Sequence, residues 1–258
     1  MTPWITKPVP FNIGQGAASA APVSNFDKDG LKCYYRFEQT SGALENTASD
    51  VGSSDAIDNS DLVVSDATQG ATGKIDYGTT FASGTQTLKA SSMDPADLGF
   101  ISNDGAVWTI CGWIKGTSIG ADQAIISSSD FGADQNGIII RFSDTSGHIL
   151  IILGTNGDDK FVGISTTAAI SDAEWHFFMM QYDDGTGDAK LSIDNGTVET
   201  IATGKDLTNT DTPSTYLYMG NVPALDNDFI GSLDEFVIFN RILTTDEITD
   251  LYNSDDGL

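Results

Sequence analysis

Residues 231–252 read GSLDEFVIFNRILTTDEITDLY. Phe236, Val237, Ile238 and Phe239 stand in a row and predict a buried strand. Thr244 and Glu247 have the spacing of a capping box behind Leu243, and Ile248, Leu251 and Tyr252 share one helical face. The strand is therefore expected to run into a short helix that closes the chain. Asp234 sits at even spacing before Phe236 and Ile238, so period-two alternation puts its carboxylate on their apolar face. An acid there needs compensation, from backbone N–H groups or from a cation.

Upstream of that stretch, short β-type runs alternate with Gly/Asp/Asn/Ser clusters, the pattern of a sandwich or barrel. The expected strands are 31–37, 79–90, 106–115, 123–129, 137–143, 148–153, 160–165, 174–182, 189–193, 197–203, 214–220 and 229–239. Trp108, Ile110 and Ile114 fall on one strand face, and His176, Phe178, Met180 and Tyr182 on another, as two sheets facing one core require. Asn195-Gly196 signals a tight hairpin, and Asp183, Asp184 and Asp188 read as hairpin turns. Residues 45–74 show little periodicity and are expected to form a long ordered loop.

Charge narrows the function. There are 37 acids against 12 bases, a net charge of −25, and only six of the acids are Glu. Asp favours turns and Glu favours helices, so the skew agrees with a loop-rich β protein. Such a surface repels nucleic acid and anionic membranes, and salt or divalent cations would relieve it. No apolar run approaches a membrane span. Cys33 and Cys111 lie in apolar stretches, as two buried thiols or as one strand-to-strand disulfide.

Residues 1–28 differ from the rest, with four of the seven prolines and a single acid, Asp27. Proline breaks a sheet ladder, so an extended arm is expected before a domain spanning 29–258. Trp4, Ile5, Val9, Phe11 and Ile13 are too apolar for a solvated linker and are the expected docking residues. The first residues lack the continuous hydrophobic segment of a secretory signal.

Taken together, LKCYYRFEQTSGALENTAS, GKIDYGTTFASGTQTLKA, VWTICGWIK, EWHFFMMQYDDGTGDAKLSIDNGT and FIGSLDEFVIFNRILTTDEITDLYN resemble, in order, the concanavalin A-like lectin/glucanase superfamily in its laminin-G-like (pentraxin-like) branch. The resemblance runs over about residues 31–254 and implies an all-β, antiparallel jelly-roll β-sandwich with one short C-terminal helix. It also implies a Ca²⁺ site. Asp234 matches the family's closing-strand Asp, and Asn46, Asp50, Asp55 and Asp58 in the loop after the first strand are the expected partners. Backbone N–H groups alone are the competing partner for Asp234.

The chemistry of catalysis is missing from the sequence. Jelly-roll glycosidases of this superfamily resemble Glu-x-Asp-x-(x)-Glu on one strand, whereas no two of Glu38, Glu45, Glu174, Glu199, Glu235 and Glu247 stand within six residues. His148 and His176 have no nucleophile motif nearby and are expected to be structural. For sugar binding, Trp108, Trp113 and Trp175 read as core, which leaves Tyr216, Tyr218 and the loop at 130–136. Two functions are expected to compete. One is a non-enzymatic component decorating or building an extracellular assembly, a virion surface or tail protein, homo-oligomeric and docked to other subunits through the arm. The other is a calcium-dependent carbohydrate-binding or adhesion module that recognises cell-surface glycans. Neither involves nucleic acid or membrane insertion.

Overall fold

The structure is a computed structural model and describes residues 26–82, 85–90, 93–128, 137–154, 160–170, 172–204, 207, 216–221 and 228–253. The docking residues Trp4, Ile5, Val9, Phe11 and Ile13, and the loop at 130–136, lie outside these.

Among the described residues, fifteen strands form two antiparallel sheets. They are β1 (Leu31–Tyr35), β2 (Val63–Ser65), β3 (Thr68–Thr72), β4 (Tyr77–Phe81), β5 (Thr87–Ala90), β6 (Val107–Gly116), β7 (Ala124–Ser127), β8 (Gly137–Phe142), β9 (His148–Gly154), β10 (Lys160–Ala169), β11 (His176–Asp183), β12 (Asp188–Ile193), β13 (Glu199–Ala202), β14 (Leu217–Met219) and β15 (Gly231–Phe239). A 3-10 turn (Pro95–Leu98) leads into a single turn of helix, α1 (Gly99–Ser102), and the C-terminal helix is α2 (Thr245–Asn253). The first sheet has the order β13-β12-β11-β6-β15-β4-β3, with β1 also on β15; the second has β10-β9-β8-β7-β14-β5-β2. Each sheet turns one apolar face inward, and the core between them holds Trp108, Ile110, Ile114, Phe178, Met180 and Tyr182 from the first and Ile138, Ile140, Ile149 and Ile151 from the second.

Three features depart from the sequence reading. The run 79–90 is two strands, because β4 belongs to the first sheet and β5 to the second. The stretch 45–74 is ordered but carries β2 and β3. The β6 and β11 residues expected on facing sheets are neighbours in one sheet, with Phe178 opposite Gly112 and Met180 opposite Ile110. Their shared inner face supplies one wall of the core, and the β8–β9 isoleucines supply the other.

A second apolar cluster covers the outer face of the first sheet. Leu31, Tyr34, Cys111, Trp113, Phe177, Val237 and Phe239 pack there against Ile248 and Leu251 of α2. The expected cap is in place. Glu247 Oε2 accepts the Thr244 N–H over 2.7 Å while Thr244 Oγ1 accepts the Glu247 N–H over 3.3 Å. Cys33 lies in the inner cluster and Cys111 in the outer one, and both are free. The tight turn at Asp194 and Asn195 has φ of 53° and 52°, as a hairpin loop rich in Asn and Gly demands.

Candidate functional site

β15 is paired along one edge with β6 throughout, but its other edge changes partner. Gly231, Ser232 and Leu233 pair with β4, and Phe236 to Phe239 pair with β1. At the change the register slips. Asp234 lies opposite Trp113 and Val237 opposite Cys111, and Glu235 takes a φ of +49°. This is a β-bulge, one extra residue that reverses the alternation. Leu233, Phe236 and Ile238 therefore face the inner core, and Asp234 is turned to the outer face with Trp113 and Val237. The expectation that Asp234 shares a face with Phe236 and Ile238 is corrected by this single residue.

The bulge assembles three carboxylates where β1 and β4 diverge. Asp234 is fully buried, and its Oδ2 accepts the backbone N–H groups of Lys74 (2.7 Å) and Ile75 (2.9 Å) in the turn before β4. That turn lies tightly against the acid, since a Cβ on Gly73 would stand 2.6 Å from Oδ2. Glu235 accepts the Tyr34 hydroxyl on Oε2, and its Oε1 lies 3.8 Å from Arg36 Nε. Glu38, just beyond β1, accepts the backbone N–H of Tyr77. One ligand oxygen from each of Glu38, Asp234 and Glu235 lies within 4.8 Å of the others.

Charge is crowded here. Burial pushes the Asp234 carboxyl up to about 8, against the two backbone donors and with help from Glu235. Burial likewise pushes Glu235 up to about 7 despite Tyr34 and Arg36, and raises Glu38. Asp234 Oδ1, Glu38 Oε1 and Glu235 Oε1 are buried without a hydrogen bond to any described residue. Carboxylate oxygens so close together suit a hard divalent cation, whose bonds to oxygen of about 2.4 Å match that spread.

Of the expected cation ligands, the structure brings only Asp234 to this place. Asn46 is consumed in ordering its own loop: Oδ1 accepts from Tyr34 N (2.8 Å) and Ala48 N (3.1 Å), while Nδ2 donates to Lys32 O, Ile57 O and Ser60 Oγ. Asp55 accepts the Gly30 N–H over 2.9 Å, and Asp50, Asp55 and Asp58 are not in the carboxylate group around Asp234. Once Asp234 faces outward beneath the turn at 73–76, the acids within reach are those of β15 itself and of the segment leaving β1. Sequence reasoning missed Glu38 and Glu235.

Tyr216 and Tyr218 flank Leu217 and form a tilted ring pair, 5.9 Å between centroids. Lys89 of the neighbouring β5 sets its ammonium 4.2 Å and 5.2 Å from the two rings. Tyr216 is half-buried and Tyr218 buried. His148 pairs with Asp144, and His176 is held between Asp172 (2.8 Å) and Asp194 (2.7 Å). Asp184 is a buried pin that accepts from Gly105 N, Tyr182 Oη and Leu207 N.

The family model for the concanavalin A-like lectin/glucanases superfamily (Laminin_G_3) matches residues 85–249. No curated protein sequence matches the chain. Among solved structures, it is similar to a type C botulinum neurotoxin, whose passage into cells depends upon interaction with two ganglioside molecules (TM-score 0.61, 16% identity). That match covers 87% of this chain and 51% of the other, so the chain spans about half the neurotoxin chain's length. It is similar to domain 4 of AbnA, an extracellular arabinanase of Geobacillus stearothermophilus in complex with arabinotriose (TM-score 0.55, 17% identity, 86% and 98% covered). It is also similar to the CBM40 domain of a Ruminococcus gnavus sialidase bound to α2,3-sialyllactose (TM-score 0.51, 18% identity, 66% and 93% covered).

Proposed function

This chain belongs to the concanavalin A-like lectin/glucanase superfamily, and from that premise we propose that it is a non-catalytic glycan-recognition module stabilised by a bound calcium ion. The reading is carried by the second sheet at β14, where half-buried Tyr216 lies beside Lys89 with the buried Tyr218 ring packed next to it. Rigid aromatic faces beside a charged donor are what sugar rings stack against. The printed ligands of the similar structures, gangliosides, arabinotriose and sialyllactose, support a carbohydrate. The buried carboxylates support a non-catalytic role. Asp234 and Glu235 have the raised pKa values of general acids, yet with exposures of 0% and 7% they are closed to a glycosidic oxygen.

Calcium would be held by Glu38, Asp234 and Glu235, where it would neutralise buried charge and tie β1, β4 and β15 together. Titrating Ca²⁺ into chelated protein should give one saturable event per chain that disappears in Glu38→Gln. A glycan panel containing arabinotriose and sialyllactose, with and without Ca²⁺, tests the recognition itself. Absence of binding to every glycan at millimolar concentration would remove this reading.

A second reading rests on the sequence of residues 1–28, apolar and nearly uncharged ahead of a strongly acidic body. In it, the module decorates or builds an extracellular assembly such as a virion surface, and Trp4, Ile5, Val9, Phe11 and Ile13 dock it to a neighbouring subunit. A chain lacking residues 1–28 should then fold and fail to incorporate; normal incorporation would end that reading. Among the described residues no helix is long and apolar enough to cross a membrane.

A further inference from the structure

A cavity of about 490 Å³ opens between the loop at 53–58 and the 3-10 turn with α1, away from both the acidic fork and the tyrosine pair. Lys32, Asp55, Asp58, Asp97, Phe100 and Asn240 line it. The lining divides into three chemistries. Lys32 and Asn240 offer N–H donors, the three aspartates offer acceptors, and Phe100 offers one aromatic surface. Phe100 is half-buried and braced from behind by the inner core, so its position is fixed. The Lys32 ammonium and the Asp58 carboxylate make no hydrogen bond or ion pair with any described residue, so neither is committed to holding the fold. Asp55 is partly committed, through the Gly30 N–H, which fixes its orientation.

We propose that this cavity is a saccharide subsite selective for neutral over sialylated glycans, an inference that rests on the glycan-recognition reading above. A sugar hydroxyl both donates and accepts, so a ring of them can satisfy mixed donors and acceptors while its apolar face lies on an aromatic ring. A sialylated or otherwise anionic ligand would meet three carboxylates against one ammonium, in a chain whose net charge is −25. A bare metal ion would meet the Lys32 ammonium instead of a closed shell of oxygens. The charge of the lining therefore separates this protein from relatives that take anionic sugars, although the fold is shared.

Calorimetric titration of the full chain with neutral trisaccharides and with sialyllactose, at low and at physiological salt, tests this. The neutral sugars should bind, and sialyllactose at least about tenfold more weakly, with the gap widening at low salt. Asp58→Asn and Phe100→Ala should each weaken the neutral sugar by about tenfold or more, with melting temperatures recorded to show that both variants fold. Tyr216→Ala, measured beside them, reports on the tyrosine pair instead. Sialyllactose binding as tightly as the neutral sugars would overturn the selectivity. If Tyr216→Ala abolishes binding while Asp58→Asn and Phe100→Ala do not, the cavity is not the site and the glycan reading stands without it. If no saccharide binds, both fall.

Discussion

Ile75 donates its backbone N–H to Asp234 Oδ2 over 2.9 Å, across 159 positions of sequence. With the parallel bond from Lys74, this makes Asp234 the point where the turn before β4 is fastened to β15. Asp234→Ala leaves two buried donors without an acceptor and should cost about 2–4 kcal/mol of unfolding free energy. Asp234→Asn keeps an acceptor and removes a carboxyl that burial pushes up to about 8. In chelator its melting temperature should lie at or above that of the parent chain, and added Ca²⁺ should raise the parent alone. A chelated Asp234→Asn chain as unstable as Asp234→Ala would contradict this account of the carboxylate.

A cation held at the three carboxylates would also bear on the whole surface. Chelator in low-salt buffer should lower the melting temperature, and either salt or Ca²⁺ should restore part of it, because screening acts on a charge of −25 and a bound ion would act on three buried oxygens. Monovalent salt at matched ionic strength separates the two. A Glu38→Gln chain should keep the salt response and lose the extra response to Ca²⁺.

His176 provides a pH handle outside the acidic fork. Burial alone would lower its pKa, but the bonds to Asp172 and Asp194 outweigh burial and leave it raised. A raised histidine binds its proton more tightly folded than unfolded. Its contribution is therefore complete below the unfolded pKa of about 6.5 and is lost as pH rises through the folded value. The stability difference between the parent chain and His176→Gln should accordingly shrink from pH 6 towards pH 8. A difference that grows over that range would contradict it.

Gly112 of β6 lies directly beneath the Phe236 ring, where any Cβ would collide with it. Since both strands are central, the ring has no room to withdraw. Gly112→Ala should destabilise by about 1–3 kcal/mol in urea titration. A neutral outcome would mean that the bulge, and Phe236 with it, can shift.

Both thiols should be inert in the folded chain. Burial pushes Cys33 up to about 12 and raises Cys111 as well. A thiol reagent should therefore count two cysteines only after denaturation. The disulfide alternative is removed by geometry, since one thiol lies between the sheets and the other lies outside them.

Elements with a local signature were legible in the sequence. The closing strand, the capping box at Thr244 and Glu247, and the hairpin at Asn195-Gly196 each carry their pattern within a few residues. The face of Asp234 was not legible, because it depends on Glu235 taking a left-handed φ that glutamate has no local reason to adopt. Nor was Glu38, which reaches the fork only because β1 pairs with the far half of β15. Strand pairing between residues some two hundred positions apart leaves no periodic trace. The split of 79–90 between sheets has the same origin, since period two marks a strand and not the sheet that receives it.

Arg241 ties the start of the described chain to its end. It donates from Nε to Asp29 O and from Nη2 to Asp27 O, while its guanidinium also grips Glu247 of α2. Phe26 rests on Phe239 beside this clamp. Tension applied to the polypeptide ahead of residue 26 would thus be borne first by a charged fork and a ring contact, and only then by the β1–β15 ladder. A module tethered by its N-terminal segment would be loaded at this braced corner, with the two sheets shielded from the pull.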